Sequence, residues 1–292
     1  MILNSLTLGF IFSLLGFGIF LSFKILNFTD LTAEASFTFG AALSAVFVNL
    51  GLPEVGLLLS LLGGAFAGLI TAFLHQRLHI DKVLSGILTL TAFYTLNLLV
   101  TGFVPNISIA RDIRTIFPRG EDLASFFISM GIALAIGVGL IFFFKSKLGI
   151  RIRASGDNPD ILSSSGYSVD FHQAFGLAFS NAMIALSGAL FMQYQRYYDS
   201  TFGTGMMIVG VSCIVIGEAF TFKKHELALM VSGILLGSLL YRLIYLFVIQ
   251  ASGQPQYMKL VSALSIVLFI GISNSGLLTK LKNRRASHAA RP

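Results

Sequence analysis

The chain has 292 residues, of which 55% are hydrophobic and 11% charged, and its mean hydropathy is +0.84. A soluble domain carries about 25% charged residues, so this chain lacks the polar surface to cover a water-soluble sphere; that excludes a soluble enzyme, a nucleic-acid-binding domain and a disordered protein. The formal net charge of +7 matters less for its size than for where it falls between apolar runs.

A transmembrane helix needs about 20 mostly apolar residues, and nine segments meet or approach that: 3–23, 36–50, 55–74, 83–102, 124–144, 172–192, 204–220, 227–249 and 257–274. The first run has no basic residue before it and no small-residue cleavage pattern after it, so it reads as an ordinary span with its N-terminus outside. The second is short, and Thr29-Asp30-Leu31-Thr32-Ala33-Glu34 ahead of it predicts an irregular lead-in. With alternating spans, the inner loops hold Lys24, Arg77, Lys82, Lys145, Lys147, Arg151, Arg153, Lys223 and Lys224, and the tail adds five more bases; this puts fourteen of the 20 Lys and Arg on one side. The positive-inside rule therefore gives an all-α polytopic membrane protein of nine helices, N-terminus outside and C-terminus cytoplasmic. It divides into a membrane domain, 1–276, and a basic cytoplasmic tail, 277–292. A missed or re-entrant segment around 193–203 is the place where this count is most exposed to error.

The inner loop 145–171 carries the clearest local signals. Asp157 or Asn158 suits an N-cap, Pro159 the first helical position, Asp160 the positive end of the dipole and Gly166 a left-handed stop. The spacing predicts a helix over 159–165. That is well short of the roughly 12–15 residues needed for stability alone, so it must dock: on its own bundle as a connecting loop, or on a partner protein as a rigid lever.

Other chemistry is sparse. There is no Gly-x-x-x-x-Gly-Lys-Ser/Thr loop, no Gly-x-Gly-x-x-Gly and no Gly-x-Ser-x-Gly. The single cysteine, Cys213, allows no internal disulfide and no cysteine zinc site. His75 and His79 share a helix spacing but lack the Glu of a metalloprotease, and a solvated loop is the default for them. Glu218 and Arg242 are the ionisable residues placed inside apolar runs; Arg242 suits either anchoring and packing or the lining of a wet cavity. Tyr94, Asn97 and Thr101, on one helix face, with Ser36, Asn181 and Gln193, are candidates for a solute pathway or for bonds between helices. Gly64-x-x-x-Gly68 and Gly233-x-x-x-Gly237 permit close helix approach. Thr38-Phe39-Gly40 recurs as Thr201-Phe202-Gly203, each ahead of a helical run, and the two helices run in opposite directions; this hints at an inverted repeat.

Three stretches resemble one family. Ile152-Arg153-Ala154-Ser155-Gly156-Asp157-Asn158-Pro159 through Ser165-Gly166-Tyr167-Ser168-Val169 is similar to the coupling region of ABC-importer permeases of the branched-chain amino-acid and ribose permease superfamily. Leu84-Ser85-Gly86-Ile87-Leu88-Thr89 with Thr91 through Leu98, then Gly102 and Pro105-Asn106-Ile107, resembles a signature of that group, as does Gly203-Thr204-Gly205-Met206 through Ile216-Gly217-Glu218-Ala219. One departure is Ala35, where the family often has Gly. The nearest subgroup is described as uncharacterised or as tryptophan-type amino-acid uptake permeases. The resemblance implies a multi-pass permease of the bacterial cytoplasmic (inner) membrane that binds no cofactor itself. It also implies a second permease copy, a cytoplasmic ABC ATPase dimer that holds ATP and Mg, an extracytoplasmic solute-binding protein, and no nucleic-acid partner. Arg153, Ser155, Gly156, Asp157, Asn158, Pro159, Asp160 and Gly166 would then form the ATPase-coupling segment, and the solute would be an amino acid or similar small polar molecule. A stand-alone secondary transporter is the alternative.

Overall fold

The computed structural model describes residues 1–221 and 226–252, with Leu260, Ala263, Leu264 and Val267 as isolated helical positions beyond them. Lys223 and Lys224, most of the predicted ninth span and the tail 277–292 lie outside the described residues. The elements run α1 (Ile2–Ile19) with a π-helical extension (Phe20–Ile25), α2 (Thr32–Asn49), α3 (Pro53–Arg77), α4 (Lys82–Val100), β1 (Asn106–Ser108), α5 (Asp122–Lys145), α6 (Lys147–Asp157), α7 (Pro159–Ser164), α8 (Val169–Gln195), β2 (Tyr197–Asp199), α9 (Met206–Thr221) and α10 (Leu227–Ser252). Apart from the antiparallel ribbon of β1 and β2, the described chain is a helical bundle.

Among the described residues, six helices are long and apolar enough to cross a membrane: Ile2–Ile25, Pro53–Arg77, Lys82–Val100, Asp122–Lys145, Val169–Gln195 and Leu227–Ala251. Their burial divides them. The apolar windows of Ile2–Ile25 and α8 are 89% buried, whereas that of α5 is 22% buried, so α1 and α8 form the centre and α5 leaves most of its apolar surface outward. The two further predicted spans in this region, α2 and α9, fall outside that set. α9 is only 16 residues long, and α2 starts with Thr32 and Glu34 and is packed between α3 and α8. A helix enclosed by protein needs no apolar face for lipid, so its sequence can be more polar.

Without a hydrophobic drive in lipid, helices associate through close packing and hydrogen bonds. The centre uses both. Ser180 Oγ donates to Gly18 O at 2.7 Å, and Ser187 Oγ to Ile11 O at 2.8 Å. The rising α8 numbers against falling α1 numbers make these two helices antiparallel. A Cβ at Gly64 or Gly68 of α3 would strike the α8 backbone at Asn181 or Leu177, and one at Gly237 of α10 would strike Cys213 O of α9. Both Gly-x-x-x-Gly pairs therefore lie in helix contacts.

Three boundaries differ from expectation for local reasons. α2 begins at Thr32 rather than 36, because Asp30 Oδ1 accepts from Thr32 N at 2.9 Å and stabilises the first turn. The stretch read as loop ahead of Asp157 is helix α6, capped by Ser146 and burying Gly149, Ile152 and Ser155 along one face. Thr38 lies inside α2 rather than ahead of it, whereas Thr201 does precede α9.

The α3–α8 contact gives a first prediction. Gly64→Ala should destabilise the protein by about 1–3 kcal/mol, the cost of overpacking a tight core. Gly131→Ala, where an added Cβ meets nothing within 4 Å, should be neutral or stabilising. Denaturation midpoints of the detergent-solubilised variants check the pair.

Candidate translocation site and coupling surface

Two non-helical stretches sit against the bundle interior. Residues 26–31 join the π-helical extension to α2, and residues 200–205 join β2 to α9. The second reaches down to α2: Gly203 N donates to Thr38 Oγ1 and Gly205 N to Glu34 Oε1, both at 2.9 Å. A side chain at Gly203 would collide with Glu34 O, so this approach needs glycine. The two copies of Thr-Phe-Gly thus touch through Thr38 and Gly203. The first turns of α9 then pack on the end of α1, where Gly210 lies against Leu15 and Ile19. The descending segment overlaps the end of 193–203, where a missed or re-entrant segment is expected.

Between α2, α4 and this segment lies a cavity of about 370 Å³, lined by Glu34, Ala35, Thr38, Leu90, Thr91, Tyr94, Asn97, Ser200, Thr201, Gly203 and Thr204. Two of the sequence candidates, Tyr94 and Asn97, line it. Tyr94 is 53% exposed, whereas Asn97 is 2% exposed and its Oδ1 has no hydrogen-bond partner. Thr101 does not line the cavity; it ends α4, with Oγ1 donating to Asn97 O and Leu98 O. The departure Ala35 lies in the cavity wall.

Ser36 and Asn181 lie behind the cavity in a buried network that the sequence reading did not assemble. Asn181 Nδ2 donates to Asp30 Oδ2 at 2.6 Å, and Ser36 Oγ donates to Asn181 Oδ1 at 2.7 Å. Thr32 and Thr71 share a 2.6 Å hydroxyl bond, and Thr71 Oγ1 donates to Thr89 at 2.9 Å. The chain of bonds ties α2, α3, α4 and α8 at one level. Asp30, 2% exposed, is the carboxylate missed at the sequence level. It stands in a polar stretch between apolar runs, and its only signal was the break it causes.

At the end of the bundle that carries β1 and β2, a second cavity of about 580 Å³ is lined by Glu54, Arg114, Thr115, Ile116, Phe117, Pro118, Arg119 and Arg196. Arg196 donates to Ile113 O and Thr115 Oγ1, each at 3.0 Å. Burial first, and then the Arg119 charge, hold its guanidinium below the usual arginine value. Gln193 belongs to the wall behind: its amide donates to Ser44 Oγ and Pro53 O, and its carbonyl accepts from Ile116 N. Arg242 is 7% exposed, with its guanidinium 5.2 Å from the Phe12 ring centre and 4.9 Å from that of Tyr245, and its Nε has no partner. Neither cavity includes it.

The opposite end carries the capped helix. Asn158 is its N-cap, Oδ1 accepting from Ile161 N at 3.3 Å; Pro159 is the first helical residue, and Gly166 follows with φ +81°. The helix runs Pro159–Ser164, one residue shorter than expected. The residues singled out for coupling divide in two. Ser155 is fully buried, and Gly156 lies against Ile25 O and Leu26 where no side chain fits; both seal α6 to the body. Arg153 is half-buried, whereas Asp157, Asn158, Pro159, Asp160 and Gly166 are exposed. Ile161 is 60% exposed beside them, and Leu162, at 4%, pins α7 down. Arg151 stacks on Tyr167, 3.7 Å from the ring centre, and donates to its hydroxyl at 2.8 Å, which closes the segment. Nearby, Lys24 and Glu218 form a 2.8 Å ion pair. His75 Nδ1 pairs with Ile80 O at 2.7 Å, and no cluster of three metal-ligating side chains occurs among the described residues.

The network gives a second prediction. Asn181→Leu leaves Asp30 Oδ2 and Ser36 Oγ without this partner and should cost about 1–3 kcal/mol, whereas Ser36→Ala, which removes one neutral donor, should cost less than about 1 kcal/mol. Chemical denaturation in detergent measures both.

Comparison with known proteins agrees with this architecture. Residues 1–272 match the family described as branched-chain amino acid transport system / permease component. A tyrosine transport system permease protein of Clostridioides difficile is 30% identical, over 97% of this chain and 95% of that protein. An uncharacterised protein of Rickettsia prowazekii is 28% identical, over 88% of this chain and 91% of its own length. Among solved structures, a chain of PsaBC from Streptococcus pneumoniae, in complex with Fab, shares the fold with a TM-score of 0.57 at 15% identity, over 92% of this chain and 88% of that one. With a helical bundle, a polar cavity among its helices and a family match over nearly its whole length, the chain belongs to the branched-chain amino acid permease family, the permease components of ABC transport systems.

Proposed function

We propose that this chain is the permease subunit of an ATP-driven importer for an amino acid or similar small polar solute. It would work in the bacterial cytoplasmic membrane with nine spans, N-terminus outside and C-terminus inside. The observation that carries the proposal is α7, a six-residue helix with its own N-cap. It is too short to be stable alone, is anchored through Leu162 and α6, and leaves Asp157 through Ile161 exposed. Such a helix suits a groove in an ATPase partner, where closure of an ATPase dimer holding ATP and Mg would move it as a rigid piece. α6 would pass that motion to the π-helical extension and to α8, which it touches, and so bias a two-state pathway.

The cavity supports a second permease copy. Tyr94 is exposed on α4 at the cavity, and a hydroxyl turned to hydrocarbon is costly. A partner copy over this face would place two such cavities along one shared pathway. At the outer end, the arginine-lined cavity suits an acidic surface on a solute-binding protein. The tyrosine permease relative favours an amino-acid solute.

The buried Asp30 favours a second reading, a stand-alone secondary transporter, because intramembrane carboxylates are frequent in proton-coupled carriers. ATP depletion separates the two. If uptake into cells stops when ATP is exhausted while a proton gradient is maintained, the importer reading stands; continued uptake overturns it. Replacing Asn158, Pro159 and Asp160 together by glycine should lower uptake by at least about fivefold, within the usual range of coupling energies, while membrane insertion and ATP hydrolysis by the assembled complex persist. Unchanged uptake would remove α7 from the mechanism.

A further inference from the structure

We infer that the corner between α5 and α6 binds the phosphate headgroup of an anionic phospholipid. α5 is 24 residues long, about 36 Å at 1.5 Å per residue, against a hydrocarbon core of about 30 Å. Its apolar window is 22% buried, so it runs the depth of the bilayer with most of its side chains toward lipid. Its last residue, Lys145, therefore stands at headgroup level. The chain turns there within one residue. Ser146 is extended, with ψ 160°, and its Oγ donates to Phe143 O at 2.6 Å while accepting from Gly149 N at 3.2 Å. A Cβ at Gly149 would strike Phe143 O and the Phe144 backbone, so α6 is seated directly on the end of α5.

This corner presents two matched pairs. Phe142 and Lys145 are three residues apart on α5, and Lys147 and Ile150 three apart on α6, the spacing that sets side chains on one helix face. Phe142 is 68% exposed and Ile150 55%, and both lysines are exposed. α6 buries Gly149, Ile152 and Ser155, so Lys147 and Ile150 belong to its outward face. Neither lysine has an ion-pair partner among the described residues. Asp157, the carboxylate of α6 itself, ends the helix, about 15 Å along the axis from Lys147 and beyond a screening length of about 8 Å. An apolar side chain beside a base is the composition of interfacial helices: the apolar group enters the acyl boundary and the ammonium meets a phosphate. A zwitterionic headgroup brings its own cation to that phosphate, so two free lysines select net negative charge. An acidic protein surface would meet the lysines but not Phe142, which lies within the apolar run of α5. Because α6 carries α7, such a lipid would anchor the root of that helix.

The chain has no tryptophan, so Ile150→Trp supplies a single fluorescent reporter. The full chain is placed in phosphatidylcholine nanodiscs, and phosphatidylglycerol or phosphatidylcholine with brominated acyl chains, which quench a tryptophan they touch, is titrated in. Brominated phosphatidylglycerol should reach half-quenching at a mole fraction at least about fivefold lower than brominated phosphatidylcholine, the effect of one base near an anionic surface. Adding Lys145→Gln and Lys147→Gln should remove that difference, and Lys145→Arg with Lys147→Arg should keep it. Phe127→Trp, nearer the other end of α5 and 54% exposed, should show no difference. Equal quenching by the two lipids at Ile150→Trp overturns the inference, as does a preference that survives loss of both lysines or appears equally at Phe127→Trp. Absence of quenching by either lipid also overturns it, and shielding of the reporter from aqueous acrylamide only when ATPase is added would assign the face to that partner. A monodisperse elution profile shows that each variant is folded. If the double glutamine variant fails it, the parent is measured in about 1 M salt, where the Debye length is about 3 Å; the preference should fall away there, and a preference unchanged by salt overturns the inference.

Discussion

Non-helical backbone can lie within a membrane bundle only where the protein itself supplies its hydrogen-bond partners, and residues 26–31 and 200–205 meet that constraint in two ways. Asp30 accepts from Thr32 N and from Asn181, which fastens the start of α2 to α8. Glu34 and Thr38, in the first and second turns of α2, accept from Gly205 N and Gly203 N, which fastens the start of α9 to α2. The second fastening depends on the first, because Glu34 and Thr38 are positioned by the turn that Asp30 stabilises. The cavity exists because α9 starts part-way along the bundle and leaves the space beside α4 to be lined by loop and side chains.

The arrangement separates an enclosed body from an outlying helix. α1 and α8 are enclosed and carry the bonds between small residues that let helices approach. α7 lies outside this body and connects to it through α6, whose Gly156 is pressed on Leu26 and on Ile25 of the π-helical extension and whose Ser155 O accepts from Gln173 of α8. That extension also holds Lys24, paired with Glu218 of α9. A displacement of α7 would therefore reach α9, and with it the segment that closes the cavity, through few intermediate contacts.

Much of this was legible in the sequence. Apolar runs located eight of the helices in the described region, and Asn158, Pro159 and Gly166 marked α7 because capping is a local property of residue type and spacing. Tyr94 and Asn97 were legible as one face of α4. What escaped depends on contacts distant in sequence. Asp30 and Asn181 are 151 residues apart, and nothing local to either announces the other. Thr101 and Gln193 read as polar within apolar runs, and their bonds, Thr101 to its own helix and Gln193 to Ser44, Pro53 and Ile116, depend on contacts the sequence does not announce. The helix α6 was overlooked although Gly149, Ile152 and Ser155 recur at near-helical spacing, because a run of bases reads first as a solvated loop.

The central claim is that α7 is the surface through which an ATPase partner drives this permease. Site-directed cross-linking tests it most directly. Ile161, exposed at the tip of α7, is replaced by Cys in a chain whose native Cys213 is buried, and membranes containing the assembled transporter are treated with a short bismaleimide or photo-activatable thiol reagent. The account predicts a cross-linked product of permease and ATPase at Ile161→Cys, with its yield changed by ATP. A complex that imports solute at the expense of ATP yet gives no such product at Ile161, while reagents at other exposed inner positions do capture the ATPase, would contradict it.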